Sequence, residues 1–355
     1  MVPALAIASA LKRAQPDARV CFIGTARGLT EDLVERAGFR RYVTSVQPFT
    51  RSPRGALAPL SLIPATARAG RILRTERADV VVGMGGYPSV PAIAAARLAR
   101  IPSIIHEANA IPGLANELAA RLTANIAVAF PVAARAFGSR APRVVGMPLR
   151  EQIVAFDRLA LRAEAMEVLD LDPSRKTVLV FGGSLGAARL SSAAVELATA
   201  WASRVDRQLV IIAGSRSDDI AAATISVNPA VRVLRYLDRM ELAYAAADVV
   251  VSRAGASSVA ELAIVGVPAV LVPLPHARRR EQHANADLLV RAGAAEVVED
   301  VAATGARLDA IVSALLADDE RRARMTSAAR AVAMPAAAHD LARWIIEIAG
   351  SGTHA

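Results

Sequence analysis

The sequence predicts an α/β protein made of two successive doubly wound domains, each with a parallel sheet between layers of helices. Short runs rich in Val and Ile, such as Val249–Val251 and Val270–Val272, have the composition of strands that a parallel sheet buries on both faces. Stretches with helical periodicity separate these runs, often after a glycine-containing turn. The alternation pauses near residue 148 and then starts again, which indicates a second domain of the same kind.

Each domain is expected to contain a series of alternating elements. The first domain, 1–147, is predicted to contain helix 2–13, strand 19–24, helix 30–37, strand 41–46, helix 61–74, strand 79–84, helix 90–98, strand 102–106, helix 113–122 and short strands 126–129 and 143–145. The second domain, 148–334, is predicted to contain helix 150–165, strand 177–181, helix 188–203, strand 208–213, strand 231–234, helix 240–247, the strand–helix–strand unit 248–275, helix 285–291, strand 295–298 and helices 306–316 and 319–333. Pro335 ends the last of these, and a final helix within 335–355 is expected to return to the first domain.

The composition excludes several classes of protein. Of the 355 residues, 54% are hydrophobic and 21% are charged, which is typical of a packed globular chain. The single cysteine cannot form an internal disulfide, and the five histidines lack metal-ligand spacing, so neither a metal nor a cofactor is predicted. No apolar run is long enough to span a membrane, and the N-terminus lacks the basic region of a signal peptide, so a cytoplasmic location is the default.

The net charge of +9 favours polyanionic partners, which are nucleic acid, an anionic membrane surface or phosphorylated substrates. Nucleic acid is not predicted as a partner, because aromatic residues make up only 4% of the chain and no zinc-finger, RRM or KH signature is present. The arginines are spread along the chain, so part of the positive charge can be compositional.

The most informative motif is the stretch 248–275, DVVVSRAGASSVAELAIVGVPAVLVPLP. Gly255 is expected to permit a tight turn, and the next helix directs its free N–H groups and dipole toward the carboxyl end of the strand, where anions are attracted. Glu261, in the first turns of that helix, suits sugar hydroxyls better than phosphate. This combination predicts a nucleotide-sugar site, and the alternative is a plain crossover with a solvated Glu261.

Two further motifs of the second domain fit the same kind of site. The Gly-rich segment 181–187, FGGSLGA, lets a backbone approach a diphosphate, to which Ser184 can donate a hydrogen bond. The segment is not a P-loop, so a strand-to-helix turn without a ligand is the alternative. Gln282 and Asn285 share one face of a helix and suit sugar hydroxyls, although a solvated helix start is the preferred interpretation of this motif on its own.

In the first domain, polar and glycine residues follow the ends of two predicted strands; they are Gly85, Gly86, Tyr87, His106, Glu107 and Asn109. Glu107 could transfer a proton, whereas a buried and hydrogen-bonded imidazole is the favoured interpretation of His106. Arg150, at the domain boundary, could meet a phosphate in the cleft that the two domains are expected to face, and its alternative is a surface charge.

The segment 57–74 combines apolar residues with arginines. Leu60, Leu62, Ile63, Ile72 and Leu73 lie among Arg54, Arg68, Arg71 and Arg74. Apolar side chains beside arginines are typical of a helix that rests on an anionic lipid surface. An amphipathic helix that faces the protein core is the alternative.

Together, several segments resemble one known family over nearly the whole chain; they are GMGGYPS, HEANAIPGLAN, VVGMPLR, FGGSLGA, YLDRMELAYAAADVVVSRAGASSVAE, VGVPAVLVPLP and QHANA. The family is the MurG group of N-acetylglucosaminyltransferases in glycosyltransferase family 28, which has the GT-B fold of two Rossmann-like domains. The resemblance implies an inverting, metal-independent transfer of N-acetylglucosamine from UDP-GlcNAc to the 4-hydroxyl of MurNAc in undecaprenyl-diphosphate-MurNAc-pentapeptide. It further implies a role in peptidoglycan synthesis at the cytoplasmic face of the cell membrane.

The resemblance also implies roles for the candidate residues. The residues that would bind UDP-GlcNAc are Asn109, Arg150, Gly183, Ser184, Gly186, Ala256, Ser258, Val259, Glu261, Gln282 and Asn285. The acceptor side would include Gly85, Gly86, Tyr87 and His106, and Glu107 is the candidate general base. The segment 57–74 would be the membrane-facing patch.

The sequence departs from the family pattern at three places. The family opens with a strand and a GGTxGH loop, whose histidine is the expected base, and this chain begins at the helix after that loop. We therefore expect the first domain to lack its first strand and the protein to start upstream of Met1, with a real truncation as the alternative. Leu185 stands where the family usually has Gln, and His283 is unusual in the sugar loop.

Two other functions compete with this interpretation. Another GT-B transferase, or a nucleotide-sugar epimerase of related fold, is disfavoured because GMGGY and HEAN match the acceptor half of the family. A catalytically impaired protein that binds a UDP-sugar is the other alternative, and the absent histidine loop is its main support.

Overall fold

The computed structural model describes residues 1–25, 30–44, 58–182 and 188–352, without the side chains of 30–32, 58–61, 278, 351 and 352. The chain forms two compact units. The first contains Met1–Arg150 together with Pro335–Ala355, and the second contains Glu151–Met334. We predict that the first unit binds the acceptor and the membrane and that the second binds the donor. The division into units does not test these functions, so they stay predictions.

The first unit alternates helices and strands. Its elements are α1 (Val2–Ala14), β1 (Cys21–Gly24), α2 (Thr30–Arg36), β2 (Arg40–Val43), α3 (Ala58–Glu76), β3 (Val81–Gly83), α4 (Ser89–Leu98), β4 (Ser103–Glu107), α5 (Leu114–Ala119), β5 (Asn125–Val128), a 3-10 helix (Pro131–Arg140) and β6 (Arg143–Val144). Among the described residues, β1 pairs with β2 and the strands β3–β4–β5–β6 form a second sheet, with every pairing parallel.

Helices cover both faces of the four-stranded sheet. Successive strand residues point to opposite faces, so neighbouring residues of β4 contact different helices. Ile104 of β4 packs against α1 and against the last helix, α15 (Ala337–Gly352), which contributes Trp344. Ile105, the next residue, packs on the other face against α3 and α4. The guanidinium of Arg143 lies 4.3 Å from the centroid of the Trp344 ring, which fixes the last helix further.

The second unit has a longer sheet. Its elements are α6 (Glu151–Val154), α7 (Arg158–Val168), β7 (Lys176–Phe181), α8 (Ala188–Ala200), β8 (Arg207–Ile212), α9 (Ser217–Thr224), β9 (Val231–Leu234), α10 (Met240–Ala246), β10 (Val249–Ser252), α11 (Ala256–Val265), β11 (Ala269–Leu271), α12 (Glu281–Ala292), β12 (Ala295–Val297), α13 (Gly305–Ala317) and α14 (Asp319–Ala331), with 3-10 turns Gly214–Arg216, Arg278–Arg280 and Asp300–Ala302. The parallel strands lie in the order β12–β11–β10–β7–β8–β9. This order reverses direction between β7 and β10, and ligands of doubly wound folds bind at such a switch point.

The predicted helix 150–165 is interrupted in the structure. The chain leaves helical geometry after Val154, and Asp157 caps a new helix by accepting hydrogen bonds from the N–H groups of Leu159 and Ala160. A side chain that accepts hydrogen bonds from these free N–H groups favours the start of a helix. Asp157 therefore begins a second helix within the range that was predicted as one. Apart from such boundaries, the predicted α/β class with two Rossmann-like parallel-sheet units is confirmed.

Candidate active site

The switch point of the second unit brings the ends of β7 and β10 side by side. Phe181 is the register partner of Ser252, and the chain then turns through residues 253–255 into α11. Gly255 is the N-cap of α11, and no side chain in the described part of the chain caps the helix, so its first N–H groups are suited to bind an anion. The turn at Gly255 does not depend on glycine, because its φ is −63°, which any residue adopts.

Three predicted UDP contacts lie on the first turns of α11 and differ in exposure. Ala256 and Ser258 are half-buried, whereas the Val259 side chain is fully buried in the unit. The Val259 N–H already donates to the Gly255 carbonyl at 2.9 Å. Val259 therefore packs inside the unit, and an anion at this turn would contact the N–H groups of the residues that precede Val259 in α11.

Glu261 lies farther along α11 and is held by a phenol. The hydroxyl of Tyr244 donates to Glu261 Oε2 at 2.7 Å, and the Tyr244 side chain is completely buried. The ring of Phe181 packs edge-on against the Tyr244 ring, with their centroids 6.1 Å apart. The end of β7, helix α10 and helix α11 thus fix one carboxylate at the switch point, and Tyr244 was not identified from the sequence.

Helix α12 places Gln282 and Asn285 beside the same turn, but both side chains already hold backbone. Gln282 Oε1 accepts from the Leu274 N–H at 2.9 Å. Asn285 is fully buried, and its Nδ2 donates to the Ala254 carbonyl at 3.2 Å. Asn285 therefore shapes the turn before α11, and direct contact of either residue with a sugar stays a prediction.

Two acidic residues after β12 connect further parts of this region. Glu299 Oε2 lies 3.1 Å from His283 Nε2 on α12, and Asp300 pairs with Arg253 and with Arg189. The sequence offers no local signal for these pairs, since they join residues on different elements.

Gly183, Ser184 and Gly186, three of the predicted donor residues, lie outside the described residues, as does the family departure Leu185. Arg150 is the last residue of the first unit and is half-buried. Their predicted contacts with the donor diphosphate stay predictions.

In the first unit, the structure brings the GMGGY and HEAN motifs together at the carboxyl end of β3 and β4. Gly85 and Gly86 have φ values of +79° and +75°, a region that favours glycine. A Cβ added at Gly85 would lie only 3.2 Å from Asn116 Nδ2. Tyr87 follows directly and is half-buried. The glycine turn therefore packs on Asn116, a residue that the sequence analysis did not select.

Glu107 is an anchor of the following loop. Its Oε1 accepts from the Asn109 N–H at 2.8 Å, while its Oε2 accepts from the Gly113 N–H at 3.0 Å and from Asn116 Nδ2 at 2.9 Å. The residue is only 3% exposed. A general base needs a lone pair directed at its substrate, so this geometry favours an anchoring role, and the role as base stays a prediction.

His106 is completely buried, as the favoured interpretation of the sequence has it. Its Nε2 lies 2.9 Å from the Gly146 carbonyl oxygen, which identifies Nε2 as the donor, and its Nδ1 has no partner among the described residues. Burial lowers the pKa of His106 to about 4, although the hydrogen bond to Gly146 acts in the opposite direction. The imidazole is therefore neutral at physiological pH.

The predicted membrane-facing segment is partly a core helix. Ile72 and Leu73 of α3 are only 7% and 4% exposed, so they pack inside the first unit. Ile63 is 71% exposed, and Arg68, Arg71 and Arg74 also face solvent. Leu60 is without a described side chain and Arg54 lies outside the described residues. Among the described side chains of α3, Ile63 is thus the one large apolar residue that is exposed, and Leu62 is half-buried.

Within the described part of the chain, no cluster of three or more His, Cys, Asp or Glu residues is arranged to hold a metal ion. None of the helices that the structure describes is both long and apolar enough to cross a bilayer.

Two family models match the chain in order. The glycosyltransferase family 28 N-terminal domain matches residues 1–128, and the family 28 C-terminal domain matches residues 177–341. The chain belongs to glycosyltransferase family 28. The division between the two units at Arg150 lies in the interval between the two matches, and the C-terminal match continues to residue 341, beyond the end of the second unit at Met334.

Curated family 28 proteins resemble the chain over most of its length. A Nocardioides protein is 42% identical over 99% of this chain and 96% of its own length, and a Clavibacter michiganensis protein is 44% identical over 93% and 88%. Both are named UDP-N-acetylglucosamine–N-acetylmuramyl-(pentapeptide) pyrophosphoryl-undecaprenol N-acetylglucosamine transferase. These names agree with the resemblance to MurG found in the sequence.

Solved structures confirm the GT-B fold. The crystal structure of Acinetobacter baumannii MurG superposes with a TM-score of 0.76 at 29% identity, covering 97% of this chain and 95% of that chain. A Neisseria meningitidis UDP-GlcNAc 2-epimerase bound to UDP-GlcNAc superposes with a TM-score of 0.70 at 10% identity, covering 99% and 96%. The second likeness shows the fold alone, so family 28 membership rests on the family models and the closely similar sequences.

Proposed function

We propose that this family 28 chain transfers N-acetylglucosamine from UDP-GlcNAc to the 4-hydroxyl of MurNAc in undecaprenyl-diphosphate-MurNAc-pentapeptide, a step of peptidoglycan synthesis. The observation that carries the proposal is 42% identity over 99% of the chain to a transferase of that name. The alternatives, another GT-B transferase or a UDP-sugar-binding protein without turnover, have no comparable support.

The second unit binds the donor in this proposal. Glu261, oriented by Tyr244, accepts hydrogen bonds from the ribose hydroxyls of UDP. The uncapped N-terminus of α11 attracts the diphosphate, since its first N–H groups carry the positive end of the helix dipole. Ser184, the glycines around it and Arg150 are proposed as further diphosphate contacts, and Gln282 as a contact to the transferred sugar.

The reaction is a direct displacement at the anomeric carbon. The acceptor 4-hydroxyl forms the new C–O bond on the face opposite UDP, the bond from that carbon to the diphosphate oxygen breaks, and a base takes the hydroxyl proton. The leaving UDP gains negative charge, which the N–H groups at the start of α11 stabilise more strongly as it develops. The enzyme thereby favours the transition state over the bound donor.

The first unit binds the acceptor in this proposal. Glu107 holds the loop from Asn109 to Asn116 in place, and this loop and the turn around Tyr87 form the acceptor surface. The base is either Glu107 or a residue that the described contacts do not identify.

We also propose that the chain works as a peripheral protein on the cytoplasmic face of the cell membrane. Ile63 and the arginines 68, 71 and 74 face outward on α3, a combination that binds anionic lipid through apolar insertion and charge attraction. Ile63→Glu should reduce sedimentation with anionic vesicles, whereas Leu98→Glu, which changes an equally exposed residue of α4, should not.

The test of the proposed function is the transfer of radiolabelled sugar from UDP-GlcNAc to a lipid-linked muramyl-pentapeptide. The chain is assayed beside a form extended upstream by the GGTxGH loop that opens the family pattern. Glu261→Gln should lose most transfer, while Glu167→Gln, an exposed change in the same unit, should retain it. If both forms bind UDP-GlcNAc and neither transfers the sugar, the proposal is contradicted, and a UDP-sugar-binding protein without turnover is favoured.

A further inference from the structure

Three hydrogen bonds join helix α8 to the segment 300–309. One lies at the start of the helix, one in its middle and one directly after its end. They join Arg189 Nε to Asp300 Oδ2 at 3.1 Å, the Gly305 N–H to Glu196 Oε2 at 2.6 Å, and Trp201 Nε1 to Asp309 Oδ1 at 2.7 Å. The last two contacts lie away from the switch point, so they explain packing and no more.

The contact at the start of α8 differs because its carboxylate is shared. Asp300 Oδ1 accepts from Arg253 Nη1 at 2.6 Å, while Asp300 Oδ2 accepts from Arg189. The Arg253 side chain is only 7% exposed and also donates to the Val272 carbonyl at 3.1 Å. Among the described residues, Asp300 is the one acidic partner of Arg253.

This single carboxylate therefore connects the starts of two helices. Arg189 is in the first turn of α8, and Arg253 lies directly before the turn that begins α11. Helix α8 is the next described element after β7, α11 follows the adjacent strand β10, and the N-terminus of each helix attracts negative charge. A displacement of either helix start would change the field at the position proposed for the donor diphosphate.

We propose that Asp300 is a positioning residue for the donor diphosphate, which it serves by fixing the starts of α8 and α11 relative to each other through Arg189 and Arg253. The inference rests on the proposed function, since it assumes a UDP-sugar at this switch point. Asp300 does not touch the donor. Its effect should appear in diphosphate binding and be absent from uridine binding.

Two variants separate positioning from folding. Asp300→Asn keeps one oxygen for Arg253 but turns an amide N–H toward Arg189, so it breaks the link between the helices and also reduces the charge beside the buried Arg253. Arg189→Gln removes the same contact with Asp300 by changing the arginine. The Arg189 side chain is 53% exposed, so the loss of folding stability should be small. Asp309→Asn is the control, because Asp309 contacts Trp201 beyond the far end of α8 and Ser313 on α13, and not the start of α8 or α11.

The measurement is the dissociation constant of UDP and of uridine, by calorimetry and by ligand-observed NMR. Asp300→Asn and Arg189→Gln, the two link variants, should raise the Kd of UDP about three- to tenfold and leave that of uridine within about twofold. The double variant should bind UDP no more weakly than Asp300→Asn alone. Asp309→Asn should match wild type for both ligands.

Three results would overturn the inference. Equal UDP binding by wild type and both link variants would show that Asp300 has no positioning role. Additive effects in the double variant would show that Arg189 and Asp300 act separately. If wild type binds no UDP at all, the proposed function fails and this inference fails with it.

Discussion

The replacement Glu107→Gln tests whether this carboxylate anchors a loop or takes a proton. A glutamine can keep its oxygen toward Gly113 and Asn116, but its amide group then faces the N–H of Asn109, which is a donor. One hydrogen bond to a charged acceptor is lost, and the two donors oppose each other. The free energy of unfolding should fall by about 2–3 kcal/mol, since a hydrogen bond to a charged group contributes about 1.5–3 kcal/mol.

Glutamine is preferred to alanine for a quantitative reason. Glu107→Ala would remove the acceptor of the Asn109 and Gly113 N–H groups, at about 1–3 kcal/mol each, and would leave Asn116 Nδ2 with its bond to the His106 carbonyl. That loss is a large part of the stability of a domain, about 5–15 kcal/mol, so partial unfolding would obscure the kinetics of the variant.

The assay combines urea denaturation with steady-state transfer kinetics below the unfolding transition. Asp79→Asn, an exposed acid of the same unit, is the control for the loss of one negative charge. Anchoring predicts lower stability, a higher KM for the acceptor and a kcat that falls less than about tenfold, whereas loss of a general base costs about 10²–10⁴-fold in kcat. Unchanged stability together with a hundredfold loss of kcat would refute the anchoring argument and support the predicted base.

Three further predictions concern other residues of the two units. Tyr244→Phe keeps the packing on Phe181 but removes the hydroxyl that donates to Glu261, so the KM for UDP-GlcNAc should rise about three- to tenfold with little change in kcat. The pKa of His106 lies near 4 in the folded chain, against about 6.5 when unfolded, so its contribution to stability is complete above pH 6.5 and falls as the pH drops from 6.5 to 4, by about 3 kcal/mol in total. Denaturation curves of wild type and His106→Gln should converge over this range. Gly305→Ala would bring a Cβ within 2.3 Å of Glu196 Cβ and should cost about 1–3 kcal/mol of stability, whereas the added Cβ of Gly255→Ala meets only Ser258 Oγ at 3.8 Å and should cost almost none.

The sequence predicts what short-range patterns determine. The unit from β10 through α11 to β11 is recognisable because strand composition, turn and helix periodicity lie within one continuous segment. Glu261 was selected for the same reason. The residues that hold the site were missed, since Tyr244 and Glu261 are 17 residues apart, and Arg253 and Asp300 are 47 apart. No local pattern records which of many distant polar residues will meet.

Sequence patterns also leave open which polar or apolar residues face outward. Asn285 suits a sugar hydroxyl as well as a backbone carbonyl, and only the packing of α12 on the turn at Ala254 decides between them. Ile72 and Leu73 look like part of a lipid-facing patch until the fold buries them, while Ile63 on the same helix stays exposed. Exposure is a tertiary property, because it depends on which helix face meets the sheet.

The two units use buried carboxylates for the same purpose. Glu107 ends β4 and Asp300 follows β12, and each accepts several hydrogen bonds from neighbouring segments at the carboxyl edge of its sheet. At that edge the loops must carry ligand-binding groups without a regular ladder of backbone hydrogen bonds, so an ionised side chain that accepts from several donors is an effective way to fix them. A buried acid at the end of a parallel strand is therefore better interpreted first as the support of a binding loop, and as a reacting group only when one of its oxygens faces the substrate.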